Sequence, residues 1–418
     1  MASEALVRRD ARRWRLVHDA PRASVDAIVA AGQRRTIGVR IGRQPPGRRL
    51  LTVLALIGRE TPAGPLAAAL GREPGEVLGD LDRLHAARLA DPGDLGWRAS
   101  HDVVAEVAAE RVEPGLRTDL HARIADALRQ QHADPAELAR HLAGAGELRE
   151  AATVYGDAAR GRLDELASQE ARDLADAALS LMPGQDDRAW LFELRAEARS
   201  RTDDLAGARA DLREAIALRS GGPDRARSLA RLAMLESGAD DLEHAEELAT
   251  RALTESRADK RVRAQALSVA AIIDMNLGHE ERATTRSDEA LRLFSELGDA
   301  RGVADILDGR AMATFLAGHI TEAVEAFDRV AGDFEDQGEL LRVVTPRSTR
   351  GHGLLFMDRP DEGLVETEEA LALARTLGHA EGVSYAQWHR TEVLAGLARS
   401  EEAEAAADEA LTTARNLG

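Results

Sequence analysis

Small apolar residues recur along the last two thirds of this chain in a fixed helical pattern. From about Glu150 onward, segments repeat in which an alanine-like residue is followed by another small or apolar residue four positions on, then by an Ala-Leu-like pair at seven and eight. They are Ala171/Ala175/Ala178-Leu179, Ala208/Leu212/Ala215-Ile216, Ala245/Ala249/Ala252-Leu253, Ala283/Ser287/Ala290-Leu291, Ala323/Phe327/Val330-Ala331, Gly363/Thr367/Ala370-Leu371 and Ala403/Ala407/Ala410-Leu411. The interval between first positions is nearly constant and lengthens slightly along the chain, from the step Ala171 to Ala208 to the steps Ala323 to Gly363 and Gly363 to Ala403. Offsets of 0, +4 and +7 share one helical face, so each segment predicts a helix with a narrow small-residue stripe. Twelve residues before the last six first positions stand Ala196, Ala233, Ala271, Ala311, Gly351 and Thr391, where a preceding helix of the same hairpin would cross. Gly278 and Gly318, with Asp203, Asp240 and Asp358 in equivalent slots, predict the turns inside the hairpins. Leu297-Gly298-Asp299, Leu377-Gly378-His379 and Leu417-Gly418 predict glycine-capped ends of second helices.

The pattern upstream is different. Leu50, Leu51, Val53, Leu54 and Ile57 predict a first short helix, Pro65 to Gly71 a second with its glycine stop, and Glu76 to Leu89 a third with Val77, Leu78, Leu81, Leu84 and Leu89 apolar. Asp91-Pro92-Gly93-Asp94 then predicts a turn before Gly96-Trp97-Arg98. Three helices and a hairpin in this order form a winged-helix pattern. Base reading by the third helix is disfavoured, because Glu73, Glu76, Asp80 and Asp82 cluster at and around its start while Arg72, Arg83 and Arg88 only partly offset them. The expected fold class is therefore all-α: a basic segment over 1–47, a degenerate winged-helix module over 48–113, a helical connector over 114–149, and an α-α superhelix of about seven hairpins over 150–418.

Composition supports a helical scaffold and removes several chemistries. Apolar residues make up 44% of the chain but aromatics only 3%, so alanine and leucine must build the core. The absence of cysteine excludes disulfides, thiolate metal sites and thiol nucleophiles. The N-terminus is interrupted by arginines and has no apolar run of signal-peptide length, and no later segment approaches a membrane span, so a cytoplasmic protein without membrane contact is expected. Net charge is −18 but uneven: residues 1–50 carry a balance of +8, from twelve arginines against four acids, and the remainder −26. Such an acidic body repels phosphate backbones, and the basic segment reads as a solvated arm or as part of an incomplete domain.

Three further motifs carry a resemblance: Ser100-His101-Asp102-Val103-Val104; Arg117 to Leu128 with its Leu120-His121 and Ala125-Asp126-Ala127-Leu128; and Glu137 to Gly146 with Leu138-Ala139-Arg140-His141. Together with the repeat frame, which resembles the slightly longer form of the tetratricopeptide repeat, they are similar to the region after the nucleotide-binding domain in STAND-class ATPase regulators. In particular they resemble the large ATP-binding LuxR-type transcription regulators. The resemblance covers roughly residues 48 to 418 and implies a repeat arm that senses an inducer or partner. It does not extend to catalysis. A phosphate-cradling loop needs a lysine among glycines, and the single lysine, Lys260 in Arg257-Ala258-Asp259-Lys260-Arg261, has none. ATP would be bound only by a domain absent from this chain, and the family's terminal helix-turn-helix is absent too, which suggests a fragment of a regulator or a stand-alone remnant.

Candidate chemistry is sparse. His101, His121, His132 and His141 show no close ligand spacing and read as packing residues. Acid pairs such as Asp186-Asp187 start helices, where they meet free N–H groups. Better candidates line the first helices, whose inner face forms the groove of a tetratricopeptide array: Asp305, Asp308, Met312 and Phe315; Thr345, Ser348, His352 and Leu355; Tyr385, Trp388, Glu392 and Ala395. Tyr385 and Trp388 stand out where aromatics are scarce. Arg310, Arg350 and Arg390, with Arg195 in the same column, form either a ladder for an anionic partner or a set of local ion pairs. The expectation is a non-catalytic sensor or scaffold module, without cofactor or metal, that takes a protein partner or small inducer in its groove. The alternative is a free-standing tetratricopeptide adaptor.

Overall fold

The computed structural model of the chain describes residues 7–10, 13–16, 22–202, 204–238 and 241–417. Asp203, Asp240 and Gly418, placed by sequence at turns and a helix end, lie outside the described residues. The chain divides into two compact units, Met1–Asp187 and Arg188–Gly418.

In the first unit, the antiparallel strands β1 (Val7–Asp10) and β2 (Arg13–Leu16) precede helix α1 (Arg22–Gly42). Then come α2 (Arg48–Ile57), α3 (Ala63–Leu70), α4 (Pro74–Ala86) and an antiparallel pair, β3 (Ala90–Pro92) and β4 (Trp97–Ala99). This is the order of elements read from the sequence. Leu50, Leu51, Leu54, Leu66, Leu81 and Leu84 are buried together in one core, joined by Ile124 from further along the chain.

Of the basic segment, read as a solvated arm or as part of an incomplete domain, helix α1 packs on this unit: Ile37 and Ile41 enter the same core, and Arg34 pairs with Glu106, at 2.6 Å, and with Glu110. Asp80 is not an outward charge on α4 but is fully buried, where Arg72, at 2.7 Å, and Arg83 reach it. Burial alone would raise its carboxyl, yet the hydrogen bonds from the two guanidinium groups outweigh that and hold it below its ordinary value. Glu73, Glu76 and Asp82 remain exposed, so the outer face of α4 keeps its acidic groups.

Helices α5 (Asp102–Glu110), α6 (Pro114–Gln130), α7 (Pro135–Gly144), α8 (Leu148–Asp164) and α9 (Ser168–Ser180) complete the unit. The first hairpin of the repeat frame, α8/α9, thus belongs to the same compact unit as the connector.

From Gln185 on, the described residues form six hairpins. They are α10 (Gln185–Arg201) with α11 (Leu205–Leu218), α12 (Pro223–Ser237) with α13 (Leu242–Glu255), and α14 (Lys260–Asn276) with α15 (Glu280–Glu296). After them come α16 (Ala300–Leu316) with α17 (Ile320–Asp336), α18 (Leu340–Phe356) with α19 (Pro360–Thr376), and α20 (Ala380–Gly396) with α21 (Ser400–Leu417). Beginning at Lys260, helix starts are evenly spaced along the chain, and three-residue connectors join the helices both within and between hairpins. The middle residue of each such connector is left-handed: Gly278, Gly298, Gly318, Gly338, Asp358, Gly378 and Ala398, with φ between 58° and 86°. One connector geometry, used seven times, makes the constant period of the last units.

At most of the predicted crossings the small residues are buried. Ala196, Ala208, Ala233, Ala245, Ala311 and Ala323 are all buried. At Gly351 and Gly363 the backbones themselves meet: a Cβ on Gly351 would lie 2.7 Å from the Gly363 carbonyl oxygen, and one on Gly363 only 2.5 Å from that of Gly351. No side chain fits there.

Two glycines inside helices should therefore respond to alanine with opposite signs. Gly309→Ala, where nothing lies within 4 Å of the new methyl, should gain up to about 1 kcal/mol from helix propensity. Gly351→Ala should lose about 1–3 kcal/mol by forcing the crossing apart. Ala398→Gly, which relieves a left-handed alanine, should gain about 0.5–1 kcal/mol. Chemical-denaturation midpoints measure all three, and a stabilising Gly351→Ala would refute the crossing.

Candidate functional site

The inner, first-helix face of the last three hairpins gathers most of the residues that sequence singled out. Helices α18 and α20 run close together, whereas α16 and α18 meet chiefly through long side chains. Into that space Phe315 of α16 projects against His352, at a ring separation of 5.7 Å, and against Phe356, at 6.3 Å. His352 lies 5.0 Å from Phe356 and 5.0 Å from His389, whose Nδ1 is 3.1 Å from that of His352. Trp388 stacks on His389 at 4.6 Å, and Tyr385 meets both rings edge-on. The Tyr385 hydroxyl shares a 2.9 Å hydrogen bond with the Thr349 hydroxyl of α18. The result is a strip of rings across three helices, held by helix-to-helix contacts rather than by loops.

Its two ends face solvent. Trp388 is 51% exposed and Phe356 62%, with Leu316 beside the latter's partners also exposed. Phe315, Phe356, Tyr385 and Trp388 are drawn from a chain with only six Phe, four Trp and two Tyr. Exposed single apolar residues are ordinary, but here several of the rarest large ones stand together.

Polar groups flank the strip. Arg342 of α18 lies 2.6 Å from the Asp305 carboxylate of α16. One turn further along α16, the Asp308 carboxyl is largely enclosed, and its Oδ1 has no hydrogen-bond partner among the described residues. Burial pushes its pKa up to about 6, against the pull of Arg342. Burial pushes the His389 imidazole the other way, down to about 3, with His352 adding to the effect. His352 is lowered by burial too, opposed by Glu392. A neutral pair satisfies the Nδ1 to Nδ1 contact, one ring donating and the other accepting; two imidazolium ions could not. Pro346, inside α18, leaves the Arg342 carbonyl without its usual donor four residues on.

The structure sorts the sequence-predicted residues. Asp305, Asp308, His352, Tyr385 and Trp388 come together, and Glu392 stands exposed beside them. Ser348 does not line the groove: it is fully buried and its hydroxyl donates to the Val344 carbonyl at 2.6 Å, within its own helix. Met312 packs on Ala311, Ala323 and Phe327 of its own hairpin. Arg342, Thr349, Phe356 and His389 were missed by the sequence reading. They lie to the side of the narrow stripe used there, since the inner face of a helix is wider than four positions at 3.6 periodicity.

The arginine column faces local carboxylates. Arg310 pairs with Asp288, Arg350 with Asp328 at 3.2 Å, and Arg390 with Glu368 at 3.2 Å, each tying a first helix to the second helix of the hairpin before it; Arg350 also reaches Glu366 of its own hairpin. Arg195 in the same column pairs with Asp211 at 2.6 Å. Of the two readings of this column, local ion pairs are the contacts present: every one of these guanidinium groups has a carboxylate beside it.

Other clusters serve packing. His121 and His141 touch through Nδ1 at 3.0 Å, both buried, while His101 and His132 stand exposed. Arg140 caps this pair and donates to the Leu56 and Ile57 carbonyls, and burial, with Arg140 next, pushes His141 down to about 3. Glu246, Asp274 and His279 lie within 4.8 Å of one another, yet Arg282 and Arg286 both reach the buried Asp274 carboxylate, leaving its charge neutralised without an ion.

Asp308 makes a pH-dependent prediction. Its proton is held more tightly folded than unfolded, so this contribution to stability is complete below its ordinary 3.8 and is lost as pH rises through about 6. Asp308→Asn should therefore raise the melting temperature at pH 7.5, and that gain should shrink towards zero near pH 4. A gain that grows on acidification would contradict the assignment.

No protein-family model matches the chain, and no curated protein does. Among solved structures, it is similar to a signal-transduction ATPase with numerous domains (STAND) carrying a tetratricopeptide repeat sensor, from Pyrococcus horikoshii. Identity is 15%, over 88% of this chain and 50% of that one, with a TM-score of 0.45, so the chain spans about half that protein's length. It is similar also to the apo form of RapI, at 11% identity over 63% of this chain and 97% of that one, with a TM-score of 0.50. A third likeness is to a Rap protein complexed with competence and sporulation factor, at 12% identity over 92% and 99% of the two chains, TM-score 0.48. At these identities the likeness concerns the fold: an all-α, tetratricopeptide-like helical repeat.

Proposed function

We propose that this chain is a non-catalytic sensor or scaffold module, and that it binds a protein or peptide partner along the first-helix face of α16, α18 and α20. The observation that carries this reading is the solvent-exposed placement of Trp388 and Phe356 on a rigid ring strip, in a chain nearly devoid of aromatics. An open strip spread over three helices suits an extended or helical segment of a protein better than an enclosed small inducer. The motifs at Ser100 to Val104, Arg117 to Leu128 and Glu137 to Gly146 support membership of a signal-responsive transcription regulator, in which nucleotide would be bound by a separate domain. The α2–α4 helices with the β3/β4 hairpin then serve as a packing or regulatory module, since exposed Glu73, Glu76 and Asp82 oppose a phosphate backbone. Among the described residues no helix is long and apolar enough to cross a membrane.

Panning a phage-displayed library of random dodecapeptides against the full chain tests the site. Peptides selected on the unaltered chain should lose about 2 kcal/mol or more of binding on Trp388→Ala, roughly thirty-fold in Kd. Binding should be unchanged on Leu411→Ala, an equally exposed apolar residue on α21. Equal binding to the Trp388 variant would refute the surface. Membership of a regulator is tested separately by whether the open reading frame continues into a P-loop domain or a helix-turn-helix; its absence would favour a free-standing adaptor.

A further inference from the structure

We propose that the partner presents a basic side chain, arginine or lysine, to Asp308 while neighbouring apolar residues of the partner lie on the ring strip between Phe356 and Trp388. This inference rests on the reading of the α16/α18/α20 face as a binding surface and specifies what that surface selects.

Every nearby cation is already committed. Arg342 is held by Asp305, Arg310 by Asp288, Arg350 by Asp328 and Glu366, Arg390 by Glu368, and Arg347 by Glu335 at 2.8 Å and by Glu369. Asp305 Oδ1 has the Arg342 ion pair but no hydrogen bond, and Asp308 Oδ1 has neither among the described residues. A largely enclosed oxygen without a hydrogen-bond donor is rare in a folded protein and costly to keep.

The neighbourhood is negative as a whole. Asp305, Asp308 and Glu392 stand against Arg342, and burial holds both contacting histidines below their ordinary range, so they add no positive charge. An acidic or phosphorylated segment would be repelled here, whereas a guanidinium or ammonium group would supply the missing donor as a charge-assisted hydrogen bond. His389, only 3% exposed, likewise keeps Nε2 without a partner beneath Trp388. The exposed Trp388 and Phe356 rings accept both the apolar neighbour and the aliphatic stem of a long basic side chain. The Asp308 residue as a whole retains some accessibility, which gives the stem its route.

The experiment compares what the full chain and its Asp308→Asn variant select from the same dodecapeptide library at pH 7.5. The unaltered chain should enrich arginine or lysine at a fixed spacing from an aromatic or branched apolar residue, and the variant should lose the basic preference while keeping the apolar one. For a selected arginine peptide, measured by fluorescence anisotropy, replacing the arginine with uncharged citrulline should weaken binding at least tenfold on the unaltered chain and less than twofold on Asp308→Asn. The ligand-side replacement keeps the test decisive whatever the variant does to folding. Peptides that depend on Trp388 but carry no basic residue, or whose citrulline forms bind equally well, would overturn the charge selection and leave the binding face intact. Peptides that survive both Trp388→Ala and Phe356→Ala, or no enrichment at all, would overturn the face itself. Competition by millimolar spermidine with no effect of peptide sequence would identify a free polyamine, and not a peptide, as the occupant, and would also overturn the proposal.

Discussion

The close crossing of two helices at small residues twelve positions apart is the constraint on which the repeat depends. Where Gly351 and Gly363 meet backbone to backbone, the hairpin has no room for even a methyl group. At the equivalent crossings Ala311 and Ala323, and Ala233 and Ala245, are buried with one side-chain carbon on each side. Burial of so small a side chain contributes little by itself. What the crossing contributes is geometry: it fixes the angle of the pair, and the three-residue left-handed connectors then fix where the next helix starts. With both set, the first-helix faces of successive hairpins fall beside one another without any long loop.

That placement decides where charge can go. Arginines one residue before the crossings at Ala311, Gly351 and Thr391 reach back to acids on the preceding second helix, so the column of Arg310, Arg350 and Arg390 becomes a set of cross-hairpin ties. Individually such exposed pairs contribute only about 0–1 kcal/mol each. Their importance here is negative: by committing the guanidinium groups, they leave the neighbouring inner face of α16 short of cations. Asp305 keeps one, Arg342, and Asp308 none. The repeat's own regularity thus produces the electrostatic imbalance of the candidate site.

Sequence made the hairpins legible because the crossing and the connectors both demand residue types of low tolerance. Glycine at Gly278, Gly298, Gly318 and Gly378 answers a backbone requirement, and alanine at the crossings answers a steric one. The site was only half legible. Tyr385 and Trp388 were found by scarcity, and Asp305, Asp308 and His352 by helical frame, but a frame cannot tell which polar side chains bury themselves. Ser348 satisfies its hydroxyl on its own backbone and turns away from the surface. His389 lies off the stripe and is visible only once α18 and α20 are brought together. Asp80 shows the same limit from the other side: charge counted along α4 assigns it outward, while Arg72 and Arg83 allow it inside.

The strip itself is the strongest argument that its outward face has an occupant. Fully burying a Phe or similar side chain is worth roughly 1.5–3 kcal/mol, and this chain builds most of its core from alanine and leucine. Phe327 and Phe334 are wholly buried in that core, so the fold can bury large aromatics when stability requires it. Phe356 and Trp388 are instead held half outside, on rings that are themselves locked by His352, His389 and Tyr385. A rigid, exposed aromatic surface loses little conformational entropy when something covers it, which is what distinguishes a prepared contact from an accident of packing. The two neutral histidines fit the same logic: their rings position Phe356 and Trp388 without adding positive charge beside Asp308, so the apolar support and the acidic acceptor can share one face.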